Sequence, residues 1–369
     1  MTHRQPLDVD LGKFWKENER CFGRFDRNKP RTPVSLSLGE DFIKWRMGVT
    51  DHPRYYLDFD YQQQTRLACG KLTQEHIGLA MGPGINLGTT IESIFGGEVF
   101  FPPNAPPWIK PAVETIEDAK RLLPELSKIH PLTAGIMPRW LEYRERLQRE
   151  YDVPCRMGGG AHGGAELAVL VCGATNFCYW AKDDPTFVKE FVTELARTMI
   201  RWNHAVRKET GNETSGRFSI ANDSATLLSP DDYFQFSFPV EKMYYDEFAP
   251  AAKDTRCYHA DSHMTPHLPA LRELGVTDVN LGPRDDIEVI RRAMPDTVIH
   301  GQVPPMLTIN GTPGEVYERC CSDIRRVGAD GGLVLTTAGG ICAGSWDHLR
   351  AFMAAAVDCL PYRSRRGIP

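Results

Sequence analysis

Residues 255–302 read TRCYHADSHMTPHLPALRELGVTDVNLGPRDDIEVIRRAMPDTVIHGQ. Three short runs suited to strands, Thr255 to Tyr258, Thr277 to Leu281 and Thr297 to Gln302, are separated by two helical segments, Pro266 to Leu274 and Ile287 to Ala293. Gly275 follows the first helical segment, where a glycine closes a helix by taking a left-handed conformation. Strands alternating with helices imply a parallel sheet with crossover connections. The alternation continues on both sides. Upstream, Arg217 to Ala221 reads as a strand ended by Asp223-Ser224-Ala225. Ser229-Pro230 then opens a helix carrying Tyr233 to Phe248, with serine as N-cap and proline in the first turn. Downstream, Thr312 and Glu315 have capping-box spacing for a helix running to about Val327. Gly332 to Thr336 is a strand and Trp346 to Leu360 the final helix.

The first half is less regular. Pro33 to Leu38, Leu79 to Gly84 and Cys155 to Gly159 are its strand candidates; Val113 to Leu123 and Asp183 to Lys208 are its helices. About eight strand–helix units over this length predict an α/β fold of the (β/α)8 TIM-barrel type. No GxGxxG follows an N-terminal strand, which argues against a dinucleotide-binding sheet. The expected organisation is a helical extension over residues 1–30 and one barrel domain over residues 31–362.

Composition removes several functions. The 369-residue chain has a formal charge of −5 and 25% charged residues without a basic block. Nucleic acid is therefore not an expected partner, and the tail Arg363-Ser364-Arg365-Arg366 reads as a solvated end. No apolar window of about 18 residues is present and Met1 to Arg20 lacks an apolar signal core, so a soluble, cytoplasmic protein without a membrane partner is expected. The ten cysteines contain no CxxC pair. They are expected to be unpaired, with Cys172, Cys178, Cys320 and Cys321 acting as small buried apolar residues.

In a parallel barrel the chemistry lies at the C-terminal strand ends. Five such ends here are polar or glycine-rich: 158–164, 222–224, 259–263, 301–305 and 336–342. His259, Asp261 and His263 fall at alternating positions, which share one face of a strand. Neutral imidazole and carboxylate suit a divalent metal such as zinc, and they equally suit acid–base work. Asp223, at the end of the preceding strand, can orient a ligand, bind substrate or act as a base. His162, in a glycine-rich loop, can manage a proton. Gln302, Asn222, Gly159 and Gly160 are candidate substrate contacts, the glycines because they let a ligand approach the backbone. Gln302 is expected to face the lumen in preference to His300, and Cys257 to lie on the strand face opposite His259.

The order and spacing of several short motifs resemble the uroporphyrinogen decarboxylase superfamily. They are Asn222-Asp223, Leu228-Ser229-Pro230, Phe238-Pro239, the His259 strand end and Glu273-Leu274-Gly275-Val276. Gly301-Gln302-Val303-Pro304-Pro305, Gly311-Thr312-Pro313-Gly314-Glu315 and Gly339-Gly340-Ile341 follow in the same order. The resemblance implies a (β/α)8 barrel, and either the haem-pathway decarboxylase or the cobalamin-linked, zinc-dependent methyltransferases. The segment Pro33 to Gly39 lacks the paired arginines of the decarboxylase, and Arg46 and Arg54 nearby read as surface residues. The methyltransferase branch holds zinc with His-x-Cys and a late cysteine. Here the first position reads His259-Ala260-Asp261, and Cys342 is the approximate counterpart of the late cysteine.

The expectation is a methyltransferase with a metal, zinc above all, held by His259, Asp261, His263 and Cys342, with Asp223 and His162 as catalytic residues. It would move a methyl group between a small-molecule methyl donor, such as a methyl ether, and a corrinoid carried by a separate protein. A homodimer is in keeping with such barrels. Two alternatives stay open: a metal-free decarboxylase of a carboxylated substrate, and a non-catalytic tetrapyrrole-binding barrel.

Overall fold

Side-chain alternation along short parallel strands gives this molecule a polar lumen. The computed structural model describes residues 9–23, 25, 29–88, 90–212 and 216–359; the arginine-rich tail lies outside them. A small antiparallel pair, β1 (Val99–Phe100) and β2 (Trp108–Ile109), precedes the main sheet. That sheet has six parallel strands in chain order: β3 (Gly160–His162), β4 (Arg217–Ala221), β5 (Thr255–Ala260), β6 (Asp278–Leu281), β7 (Val298–His300) and β8 (Leu333–Val334). Pro33 to Leu38 joins its β8 edge only through parallel bridges, Val34 to Leu335 and Leu38 to Ile341. The architecture is the expected (β/α)8 barrel, with its regular pairing concentrated in the later strands.

The irregular part is satisfied by side chains. Leu79 to Gly84 forms no ladder. Instead the buried Gln62 and Gln63 act as substitute strand neighbours: Gly84 N donates to Gln63 Oε1 at 2.9 Å and Gln63 Nε2 to Gly84 O at 2.9 Å. Gln62 Nε2 donates to Asn86 O at 2.7 Å and its Oε1 accepts from Asn86 N. A primary amide has the same donor and acceptor as a peptide group, so it can stand in for a missing strand. Asn18 does the same for Val34, with both bonds at 2.9 Å, and so fastens the helix Leu11–Glu19 to the start of the barrel.

Several boundaries differ from expectation for local reasons. β3 begins at Gly160 because Gly158 (φ +90°) turns the chain out of the extended conformation. β5 runs two residues further than expected, which brings His259 into the ladder, opposite Asn280 of β6 and Ala221 of β4. The helix after Ser229 is two helices, Pro230–Phe236 and Phe238–Phe248, since Pro239 has no N–H to continue the first. The Ser229 and Thr312 caps form as expected. Cys321 is not free: the helices Pro313–Val327 and Trp346–Asp358 pack together, place the Cα atoms of Cys321 and Cys359 5.9 Å apart, and the two are disulfide-bonded. No described helix is long and apolar enough to cross a membrane.

Phe218, Ile220, Tyr258, Val279 and Ile299 are buried. Phe218 stacks on Phe248 of a surrounding helix at 4.7 Å, so this strand face is the apolar one. The alternate residues Arg217, Ser219, Cys257, His259, Asp278, Asn280 and His300 line a cavity of about 400 Å³. This corrects the placement of Cys257, which is two residues from His259 and shares its face. Burial pushes the Cys257 thiol up to about 11.

Behind β4 and β5 a buried carboxylate, Glu241, accepts hydrogen bonds from Tyr233 Oη, from Asn222 Nδ2 at 2.7 Å and from Tyr258 Oη at 3.2 Å. Burial outweighs these donors and pushes its pKa up to about 7. In the unfolded chain a glutamate titrates near 4.3. Below that value folded and unfolded chains both hold the proton, and the stabilisation is complete. As pH rises through about 7 it is lost, by roughly 3 kcal/mol. Urea melts between pH 5 and 8 should show stability falling with pH in this window. Glu241→Gln should flatten that slope; an unchanged slope contradicts the assignment.

Candidate metal centre

Three side chains converge where β4 and β5 end. Asp223 opens a short 3-10 turn (Asp223–Leu227), His259 is in β5, and Asp261 lies one residue beyond it. Each offers one ligand atom within 4.8 Å of the others. His259 Nε2 is 3.6 Å from Asp261 Oδ1. The backbone N–H of Asp261 donates to Asp223 Oδ1 at 2.6 Å, which fixes the Asp223 carboxylate toward its neighbour.

Asn280 decides how His259 presents itself. Gly339 N lies 2.9 Å from Asn280 Oδ1, and a backbone amide can only donate, so that atom is the oxygen. The same oxygen is 2.9 Å from His259 Nδ1, which must therefore carry the ring proton. His259 Nε2 is left with a free lone pair facing the two carboxylates. Asn280 Nδ2 donates to the carbonyls of His300 and Thr337, at 2.5 and 3.0 Å, so the whole amide is fixed. Such outer hydrogen bonds orient metal-binding histidines. Asn280 was not singled out from the sequence; its place opposite His259 in the parallel ladder is the signal that finds it. Gly339 is required by its φ of +83°, and a Cβ there would lie 2.7 Å from Asp261 Oδ1 and turn that carboxylate aside.

Burial raises the pKa of Asp261, and the Asp223 charge raises it further against the opposing pull of His259. Two carboxylates this close repel each other, and a divalent cation removes that repulsion. One neutral imidazole and two carboxylates are a donor set that suits zinc or a similar divalent ion.

His162 stands beside this group. Its Nδ1 is 2.5 Å from Glu92 Oε1. Burial disfavours its charge, but Glu92, then Glu166 and Asp223, overcome this and push its pKa up to about 9. Glu92 is held below its usual range by the same pairing, despite burial. At neutral pH His162 is an imidazolium, able to give a proton. Its partner is 70 residues away in sequence and was missed.

Other expected residues lie elsewhere. His263 is outside the group: its Nδ1 is 2.8 Å from Asp285 Oδ1. Asp285 accepts hydrogen bonds from Met264 N and Thr265 N and so fixes the loop that follows His263. Cys342 is likewise outside it. Ile341 takes the buried position, and Cys342 is exposed beyond it. The charge of Asp261 still helps to raise the Cys342 thiol, after burial and Asp41. Gln302 is fully buried with its side-chain Nε2 3.5 Å from Asp285 O, and His300 lines the cavity in its place. Asn222 is buried and bonded to Glu241, so it supports the turn before Asp223. Gly160 is needed by packing, since a Cβ would meet Ser219 O at 2.6 Å, whereas Gly159 faces open space.

Asn280→Ala frees the His259 ring. It should weaken divalent-metal binding by about ten- to a hundredfold, as read by competition with a chromophoric chelator. Unchanged affinity would remove Asn280 from the site.

The sequence profile of the uroporphyrinogen decarboxylase family matches residues 87–358, which include every residue of the metal group and its supports. No curated protein matches the sequence. Among solved structures, a methyltransferase from Methanosarcina mazei superposes with a TM-score of 0.66 at 14% identity, over 90% of this chain and 96% of that one. That likeness is one of fold. With three quarters of its length matched by the family profile, the chain belongs to the uroporphyrinogen decarboxylase family.

Proposed function

We propose that the protein is a metal-assisted methyltransferase that moves a methyl group from a small methylated substrate, such as a methyl ether, to a corrinoid carried by a partner protein. The observation that carries this reading is the convergence of Asp223, His259 and Asp261, with His259 Nε2 freed by Asn280. His259, Asp261 and Asp223 would hold the ion, zinc above all. Bound there, it would supply Lewis acidity to the substrate oxygen. A site with one imidazole, two carboxylates and no thiolate is a hard one, better matched to oxygen than to sulfur.

His162 supplies the proton. The C–O bond would break with its electron pair left on oxygen, and a reduced corrinoid on the partner, as co-substrate, would supply the electron pair that takes up the methyl group. The proton of the His162 imidazolium goes to the oxygen left behind, which leaves as an alcohol. Glu92 keeps His162 charged until that moment and stabilises it in place. The named methyltransferase of similar fold agrees with this reading.

One observation favours the metal-free decarboxylase instead: Arg217 lines the lumenal cavity, where it could hold a carboxylate. The other arginines considered for that role are engaged elsewhere, Arg46 over the Trp346 ring at 3.9 Å and Arg54 with Asp58. Metal content separates the two. Elemental analysis of the purified protein should find about one divalent ion per chain, and His259→Ala or Asp261→Ala should bind at least about tenfold more weakly. A metal-free preparation that is fully active overturns the proposal.

The proton role has its own signature. Activity requires His162 protonated, so it should fall as pH rises through about 9. Glu92→Gln removes the charge that sustains the imidazolium, and this alkaline limb should move toward neutral pH. A limb that stays in place in the variant excludes His162 as the donor.

A further inference from the structure

A second cavity, of about 330 Å³, lies beside the metal group, walled by Ile91, Ala161, Met199 and Trp202 and closed on its polar side by Glu92 and His162. We infer that it binds an uncharged, flat, apolar molecule carrying a hydroxyl group, of the phenol class, and that it seats the body of the substrate. The identification as substrate rests on the methyl-transfer reading; the binding site itself does not.

Two residues of its wall each carry a buried polar atom that is unused, just behind the cavity surface. Glu92 and Trp202 are 3% and 4% exposed. Glu92 Oε2 accepts no hydrogen bond and Trp202 Nε1–H donates none. The first is an acceptor and the second only a donor. Native proteins leave few buried groups in this state, and those that remain call for a partner. A hydroxyl-bearing ligand supplies both functions, a hydrogen for Glu92 and oxygen lone pairs for the indole N–H.

Charge sets the rest of the class. Glu92 is already neutralised by His162, so the pair presents no net charge. A cationic ligand would face the imidazolium, and an anionic one would face the free oxygen of Glu92. The remaining surface is apolar: an indole ring, a thioether and small aliphatic groups, which suit an aromatic ring. The volume is at the lower end for ligand pockets and fits a single substituted ring.

Position connects the cavity to the chemistry. Ser219 of β4 lines both this cavity and the lumenal one beneath His259. His162 at the end of β3 pairs with Ala221 of β4, and Ala221 with His259 of β5, so the polar end of the cavity adjoins the metal group. A ring seated between Trp202 and Met199 would place its oxygen substituents at that end.

Calorimetric titration of the full-length protein with phenol tests the inference, with toluene as a ligand of similar shape without the hydroxyl. Phenol should bind at one site per chain, and toluene about five- to tenfold more weakly or not at all. Trp202→Phe keeps a ring and removes the donor; it should weaken phenol by about five- to tenfold and leave toluene unchanged. Ala161→Leu fills the cavity and should abolish phenol binding while metal affinity and the thermal midpoint are retained. The inference is overturned if phenol does not bind, or if phenol and toluene bind alike and Trp202→Phe changes neither. Phenol binding in a protein that holds no metal would keep the cavity and remove the methyl-transfer reading. Metal binding and methyl transfer without phenol binding would do the reverse.

Discussion

The side-chain amide of Asn280 is the constraint on which the site depends. It makes four hydrogen bonds, to a ring nitrogen, a backbone N–H and two backbone carbonyls, and so spends its whole capacity. Those four partners come from β5, from the end of β7 and from the turn after β8. One amide therefore holds three strand ends in register and sets the tautomer of the histidine between them. A weaker residue there would lose packing and chemistry together, because the groups that position His259 also close the top of the barrel.

The lumen follows from the same economy. Small (β/α)8 barrels commonly fill this space with branched apolar side chains. Here the apolar set faces the helices, and the inward positions carry arginine, serine, cysteine, histidine, aspartate and asparagine around an open cavity. Polar groups in such a place must find partners, and several do so along the strands: His300 Nε2 is 3.0 Å from Asp278 Oδ1. Stability is then carried mainly by the helix–sheet layer and by helix–helix contacts, and the inside is free to serve a ligand.

Much of this was legible in the chain. The spacing of strands and caps from Arg217 to Val327 identified the barrel, and the alternation of His259 and Asp261 brought out two of the three side chains that converge at its mouth. Asp223 was legible as a strand-end carboxylate, though its convergence with His259 and Asp261 was not. What escaped depends on pairings across the sheet or between distant segments. Asn280 looks unremarkable in its own strand and gains meaning only opposite His259. Glu92 matters only because a loop brings it to His162. His263 fitted the alternating pattern, but the strand ends at Ala260, and beyond that point Asp285 governs where side chains go. Cys342 lies exposed beyond the buried Ile341, outside the converging group. The Cys321–Cys359 pairing spans two helices that meet only in the folded chain.

Gly339 and Asp261 share one small volume, although 78 residues separate them in the chain. A side chain at 339 and a carboxylate at 261 are sterically exclusive unless one of them moves. A residue larger than glycine at 339 would strain the turn and at the same time press on that carboxylate, so a change in the last turn of the barrel is felt at the end of β5.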